Sequence, residues 1–149
     1  AHVTIARDVS TGIVYLVDYL VGRYGFSQQT TIIGERFLSQ QPLRVGIEAV
    51  AYQAAQFHRV VEQYPEMKGR AVPIQTKVDK LTRAWRLTGL FESKLVRVKQ
   101  HHVDFIDHMV AFRGDGSGED DLFDAFEIAV SLSQRGARKH RENEPTLRR

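Results

Sequence analysis

The densest chemistry in the chain lies in Glu119-Asp120-Asp121-Leu122-Phe123-Asp124, where four acids fall within six residues. The run that follows is spaced like the start of a helix. On a helix Asp120 and Asp124 share a face at i, i+4, and Asp121 and Asp124 share one at i, i+3. Like charges at these spacings repel, and the positive end of a helix dipole offsets only part of that. A divalent cation would remove the conflict, because hard cations such as Mg²⁺ take carboxylate oxygen. The alternative is a solvated helix terminus that needs no ligand. A second carboxylate, Glu48, follows the apolar run Leu43-Arg44-Val45-Gly46-Ile47 and precedes a helical pattern. It therefore belongs at the carboxyl end of a strand, where sites form in open α/β sheets. The alternative is a first-turn anion on the next helix. Carboxylates on a strand tip and on a later helix are the set that two-metal phosphodiester cleavage uses. One ion activates water and the other stabilises the leaving oxygen.

Cysteine is absent from the 149 residues, which excludes thiolate metal sites, disulfides and a cysteine nucleophile. Any metal would be held by oxygen or imidazole. No apolar run approaches the ~20 residues needed to span a bilayer. The start, Ala1-His2-Val3-Thr4-Ile5, lacks the charge and apolar pattern of a secretory leader. The formal net charge of +3 is unevenly distributed. Bases crowd the stretch from Lys68 to Lys99, and acids the stretch from Asp115 to Asp124. A basic zone beside a compact acidic cluster suits a protein that grips a polyanion and acts on it through cations. Lys77, Lys80, Arg83 and Arg86 are candidate phosphate contacts, which give affinity and register without reading sequence. Solvated helix faces are the alternative for each of them. His58, His101, His102 and His108 lack acids at ligand spacing and read as surface or packing residues. Trp85 reads as a core anchor.

The elements that must position these residues follow from periodicity. His2–Arg7 and Ile13–Tyr19 predict a hairpin across the turn Asp8-Val9-Ser10-Thr11-Gly12. Ser27 would cap a helix that stops at Gln41-Pro42. The strand ending on Glu48 leads to a helix over Tyr52–Tyr64, then a strand over Arg70–Gln75. A helix over Asp79–Leu87 and a short hairpin strand at Leu95–Val98 come next. Two helices follow, Val103–Phe112 and one running from Glu119 to about Ser133, separated by the loop Gly114–Gly118. Residues 1–134 form one domain, and the basic tail 135–149 reads as disordered. A meander followed by alternating strands and helices predicts an α/β protein, with a mixed central β-sheet flanked by α-helices.

Three segments, in order, resemble the nuclease domain of the large terminase subunit of tailed bacteriophages. They are Gly46-Ile47-Glu48, the Lys77-x-Asp79-Lys80-x-x-Arg83-Ala84 element, and Asp120-Asp121-x-x-Asp124-Ala125 preceded by a helix ending in Phe112 and a glycine-containing loop. The resemblance implies an RNase H-like fold and a Mg²⁺- or Mn²⁺-dependent endonuclease with a two-metal site. It would cut concatemeric double-stranded DNA during packaging, in the cytoplasm of the infected bacterium. Glu48 would be the second metal-binding carboxylate and Asp121, or Asp120, the third, with Asp124 beside them. The implied partners are the terminase ATPase domain, the portal and the small terminase subunit. No G-x-x-x-x-G-K-[ST] loop is present, so the ATPase motor is not in this sequence. The family carries its first catalytic Asp on a strand ahead of the hairpin, and neither Asp8 nor Asp18 holds that position. That strand is expected upstream of Ala1. Other readings are a junction resolvase or transposase core, and a non-catalytic DNA-binding module.

Overall fold

The computed structural model describes residues 1–49, 52–113 and 120–142. Strands β1 (His2–Arg7) and β2 (Val14–Leu20) pair antiparallel, with a register shift between Thr4 and Ile5. Their turn is held by Asp8, whose carboxylate accepts from the Ser10 amide at 2.8 Å and the Ser10 hydroxyl at 2.7 Å. Gly12 closes it at φ 77, a conformation that costs a side-chain-bearing residue about 1–2 kcal/mol. Helix α1 (Phe26–Gln40) is started by Gly25, not Ser27; the Gln28 side chain accepts from the Gly25 amide at 3.0 Å. Polar contacts tie α1 to the hairpin: Arg36 lies 2.9 Å from Asp18, and Gln40 donates to the same carboxylate at 3.1 Å.

Strand β3 (Val45–Glu48) runs parallel to β4 (Ala71–Ile74), with α2 (Tyr52–Gln63) and a 3-10 turn at Pro65–Met67 in the crossover. Helix α3 (Lys80–Glu92) leads to β5 (Val96–Arg97). This short strand pairs parallel with β2 rather than forming the expected hairpin. Helix α4 (Val103–Ala111) precedes α5, which starts at Asp121 and continues to Glu142. The helix thus runs past the end that its apolar pattern predicts near Ser133. Arg, Ala and Lys are good helix formers, and the pattern persists into the segment expected to be disordered. Residues 143–149, and the Gly114–Gly118 loop with Glu119, lie outside the described residues.

The protein is thus a mixed α/β molecule, but the expected single sheet is divided. One sheet has the order β1-β2-β5 and the other is β3-β4. Each has its own core. Val14, Leu16, Leu87, Phe105, Phe126 and Val130 pack under the first, and Phe37, Ile47, Val60 and Met67 under the second. Helix α5 touches both β1 and β3 and so spans the division. Phe126 is fully buried, a contribution of about 1.5–3 kcal/mol for a side chain of this size. Trp85, expected in the core, is 75% exposed. Arg83 and Leu87 take the inward face of α3, and a residue two places from each points outward. No helix among the described residues is long and apolar enough to cross a membrane.

Candidate functional site

The acidic segment is positioned from both sides. Phe112, just past α4, stacks on Phe123 of α5 with ring centroids 3.7 Å apart and planes 10° apart. This contact fixes where α5 begins after the loop. Asp120 sits at the helix start, and the Asp124 amide donates to its carbonyl at 2.9 Å. Asp120, Asp124 and Glu127 then form a row on the α5 face that meets α3. The Lys80 ammonium lies between Asp120 and Asp124, bonded to the first and 3.1 Å from the second. Arg83 stands 2.7 Å from Asp124 and 3.5 Å from Glu127, whose other oxygen accepts from Ser131 at 2.9 Å. The Arg83–Asp124 contact is an ion pair without hydrogen-bond alignment, since that Asp124 oxygen has no hydrogen-bond partner among the described residues. Burial pulls the Lys80 ammonium down, but its bonds to Asp120 and Asp124 outweigh this and hold it above the usual lysine value.

The Lys77–Ala84 element therefore has a structural use that the sequence did not disclose. Asp79 caps α3, accepting from the Thr82 amide at 2.9 Å. Lys80 and Arg83 neutralise the acids of α5, and Ala84 packs on the first core. Arg83 is only 8% exposed, and its guanidinium stands against Asp124 and Glu127. Lys80 is engaged in the same way. Lys77 and Arg86 are exposed on α3 and its approach, beside Trp85. Spacing puts the bases at i, i+3 on one helix face and the acids at i, i+4, i+7 on another, but it does not say that the two faces meet.

Glu48 and the acidic helix meet at one cavity of about 1260 Å³, whose lining includes Glu48, Asp121 and Asp124. The ladder runs one residue past β3, with the Ala49 amide donating to Ile74 at 2.8 Å, which secures Glu48 at the strand tip. Helical spacing alone does not decide whether Asp120 or Asp121 stands with Glu48. Asp121 lines the shared cavity and is exposed, whereas Asp120 is taken up by Lys80. Asp8 and Asp18 lie apart from this group, in the turn and against α1.

Among the described residues no three His, Asp or Glu side chains are grouped to hold a metal ion. Glu48 and Asp121 could supply oxygen to a cation in the cavity they line, while Asp120 and Asp124 already hold Lys80. Among the described residues the set does not complete a two-metal centre. Of the histidines, His102 is buried, packs edge-on against Tyr19 at 5.3 Å, and serves the start of α4. No family model, curated protein or solved structure matches the chain at a significant level.

Proposed function

We propose that this chain is an RNase H-like nuclease domain of the kind found in the large terminase subunit of tailed bacteriophages. It would cut concatemeric viral double-stranded DNA with Mg²⁺ or Mn²⁺, in the host cytoplasm. The observation that carries the reading is that Glu48, on a strand tip, and Asp121, at the start of a distant helix, line one cavity. These two carboxylates would hold a metal in part, leaving further ligands to a strand absent from the described residues. Lys77 and Arg86, the exposed members of the basic set, are the phosphate contacts in this reading. The terminase ATPase domain, portal and small subunit are the partners it implies.

The test is Mn²⁺-dependent nicking of supercoiled plasmid by the natural polypeptide at full length. Glu48→Gln and Asp121→Asn should each lower cutting about 10²–10³-fold, the scale of losing one electrostatic stabiliser, with DNA affinity similar or higher. Undiminished cutting by Asp121→Asn rejects the assignment. One observation favours a non-catalytic DNA-binding module instead: the Lys80 ammonium already neutralises two of the acids. That reading expects salt-sensitive DNA binding and no Mn²⁺-dependent cutting by any form of the protein.

A further inference from the structure

Helices α3 and α4 each present a row of apolar side chains to solvent. Six of the eleven large apolar side chains exposed among the described residues lie on or beside these two helices. Val78 precedes α3, and Leu81 and Trp85 stand on it, 37%, 57% and 75% exposed. Val103, Ile106 and Val110 stand on α4, 57%, 38% and 80% exposed. Apolar residues scattered singly over a surface are ordinary, whereas a row of them marks a contact. The fold itself uses the other side of each helix. Arg83 and Leu87 take the inward face of α3, and Phe105 that of α4.

The two rows complement each other in shape and in charge. Both advance by steps of three and four residues, the spacing at which side chains of two helices interdigitate. One turn past Trp85, Gly89 is exposed, and a Cβ built on it would meet nothing within 4 Å. Trp85 is therefore a ring with an empty place beside it, where a small branched side chain such as Val110 fits. The exposed Lys77 and Arg86 flank the α3 row. Of the acids nearby, Asp79 is taken by the Thr82 amide and hydroxyl, and Glu92 lies seven residues beyond Trp85. The α4 row is flanked by the exposed Asp104 and Asp107, with Arg113 past its end. Like charges set face to face are unfavourable, so each row suits the other better than a copy of itself.

We propose that a second copy of this chain covers these rows, the α3 row of one copy meeting the α4 row of the next. Such a contact is heterologous. Each copy at the end of an assembly keeps one free row, so association continues into a ring or a filament. Three side chains from each copy are far fewer than the ~20–30 residues a side of a standard interface. The contact is accordingly weak, and gains strength when copies are held close together. It needs neither metal nor DNA, so its failure leaves the nuclease reading where it stands.

Sedimentation equilibrium of the 149-residue chain from about 10 µM to about 500 µM, the range of weak affinities, tests this. The average mass should climb with concentration and pass that of a dimer. Leu81→Ser with Trp85→Ser removes one row, and Val103→Ser with Val110→Ser removes the other; all four residues are exposed, so the fold is kept. Each double variant alone holds one row without a counterpart, and its association should weaken by about tenfold or more. Mixed in equal amounts, the two variants should form dimers and stop there, because one intact α3 row meets one intact α4 row. That rescue also shows that both variants are folded. A wild type that stays monomeric, a variant that associates as the wild type does, or a mixture that does not pair overturns the proposal. The first of these outcomes would assign the rows to a protein of another sequence.

Discussion

At the residue scale the charged groups are set by what surrounds them more than by their own type. Lys80 is a base in a basic stretch, yet its ammonium fills the space between Asp120 and Asp124. His102 shows the converse. Burial first, then the charges of His101 and Lys99, push its imidazole below the ordinary 6.5, with Asp18 opposing. A lowered folded value means that the native state binds fewer protons than the unfolded chain below pH 6.5. The stability it confers is present above that pH and is lost as pH falls toward the folded value. Urea midpoints measured from about pH 7.5 to about pH 5.5 should fall, and His102→Phe should flatten that fall. An unchanged slope in the variant would remove His102 as the cause.

At the element scale the contact between α3 and α5 is governed by a nearly buried ion pair. Side-chain exposures of 10% for Arg83 and 6% for Glu127 leave neither charge to water. Removing one partner strands the other. Arg83→Met should cost about 3–5 kcal/mol, while Arg83→Met with Glu127→Met should recover part of it, Asp124 keeping Lys80 as its partner. Denaturant titration of the two variants checks this, and an additive double variant would refute it. A tight packing contact joins α1 to the chain after α2. A Cβ on Gly34 would lie 2.1 Å from the Tyr64 ring. Gly34→Ala should therefore destabilise by about 1–3 kcal/mol, the range for overpacking, and Gly34→Ala with Tyr64→Leu should relieve the clash. Predicted boundaries held at the Gln41-Pro42 stop, where proline chemistry is local, but not at the N-cap, where Gly25 stands in place of Ser27. They also failed where the outcome was tertiary: the parallel pairing of β5 with β2 was not visible in a two-residue strand.

At the scale of the whole molecule, two small cores are joined across a divided sheet. α5 spans them, with Phe126 buried under the first sheet and Ile128 and Leu132 facing β3. Phe126→Ala should cost about 3–5 kcal/mol of global stability. Native-state exchange should show β3 and β4 opening at lower free energy than β2, because β3-β4 is a two-stranded sheet with an open edge. Equal opening energies for the two sheets would mean that the division has no energetic weight.

Local chemistry written in the chain was enough to determine most of the elements. Alternation marked β1 and β2, 3.6-residue periodicity marked the helices, and the Asp8 turn was readable from side chains that bond their own backbone. The acids at 120, 121 and 124 and the carboxylate at 48 stood out because like charges, or a charge after an apolar run, are costly without a reason. Their partners were not readable. Charge density alone does not say whether a base meets solvent, phosphate or an acid forty residues away, and only the docking of α3 on α5 decided that Lys80 and Arg83 take the last course. The same docking turned Trp85 outward. Tertiary structure also separated Asp120 from Asp121, since Asp121 lines the cavity that Glu48 lines while Asp120 is bonded to Lys80. Above all it decided that the sheet stands in two parts around a cavity, a property of how strands are arranged in space that no single strand's sequence carries.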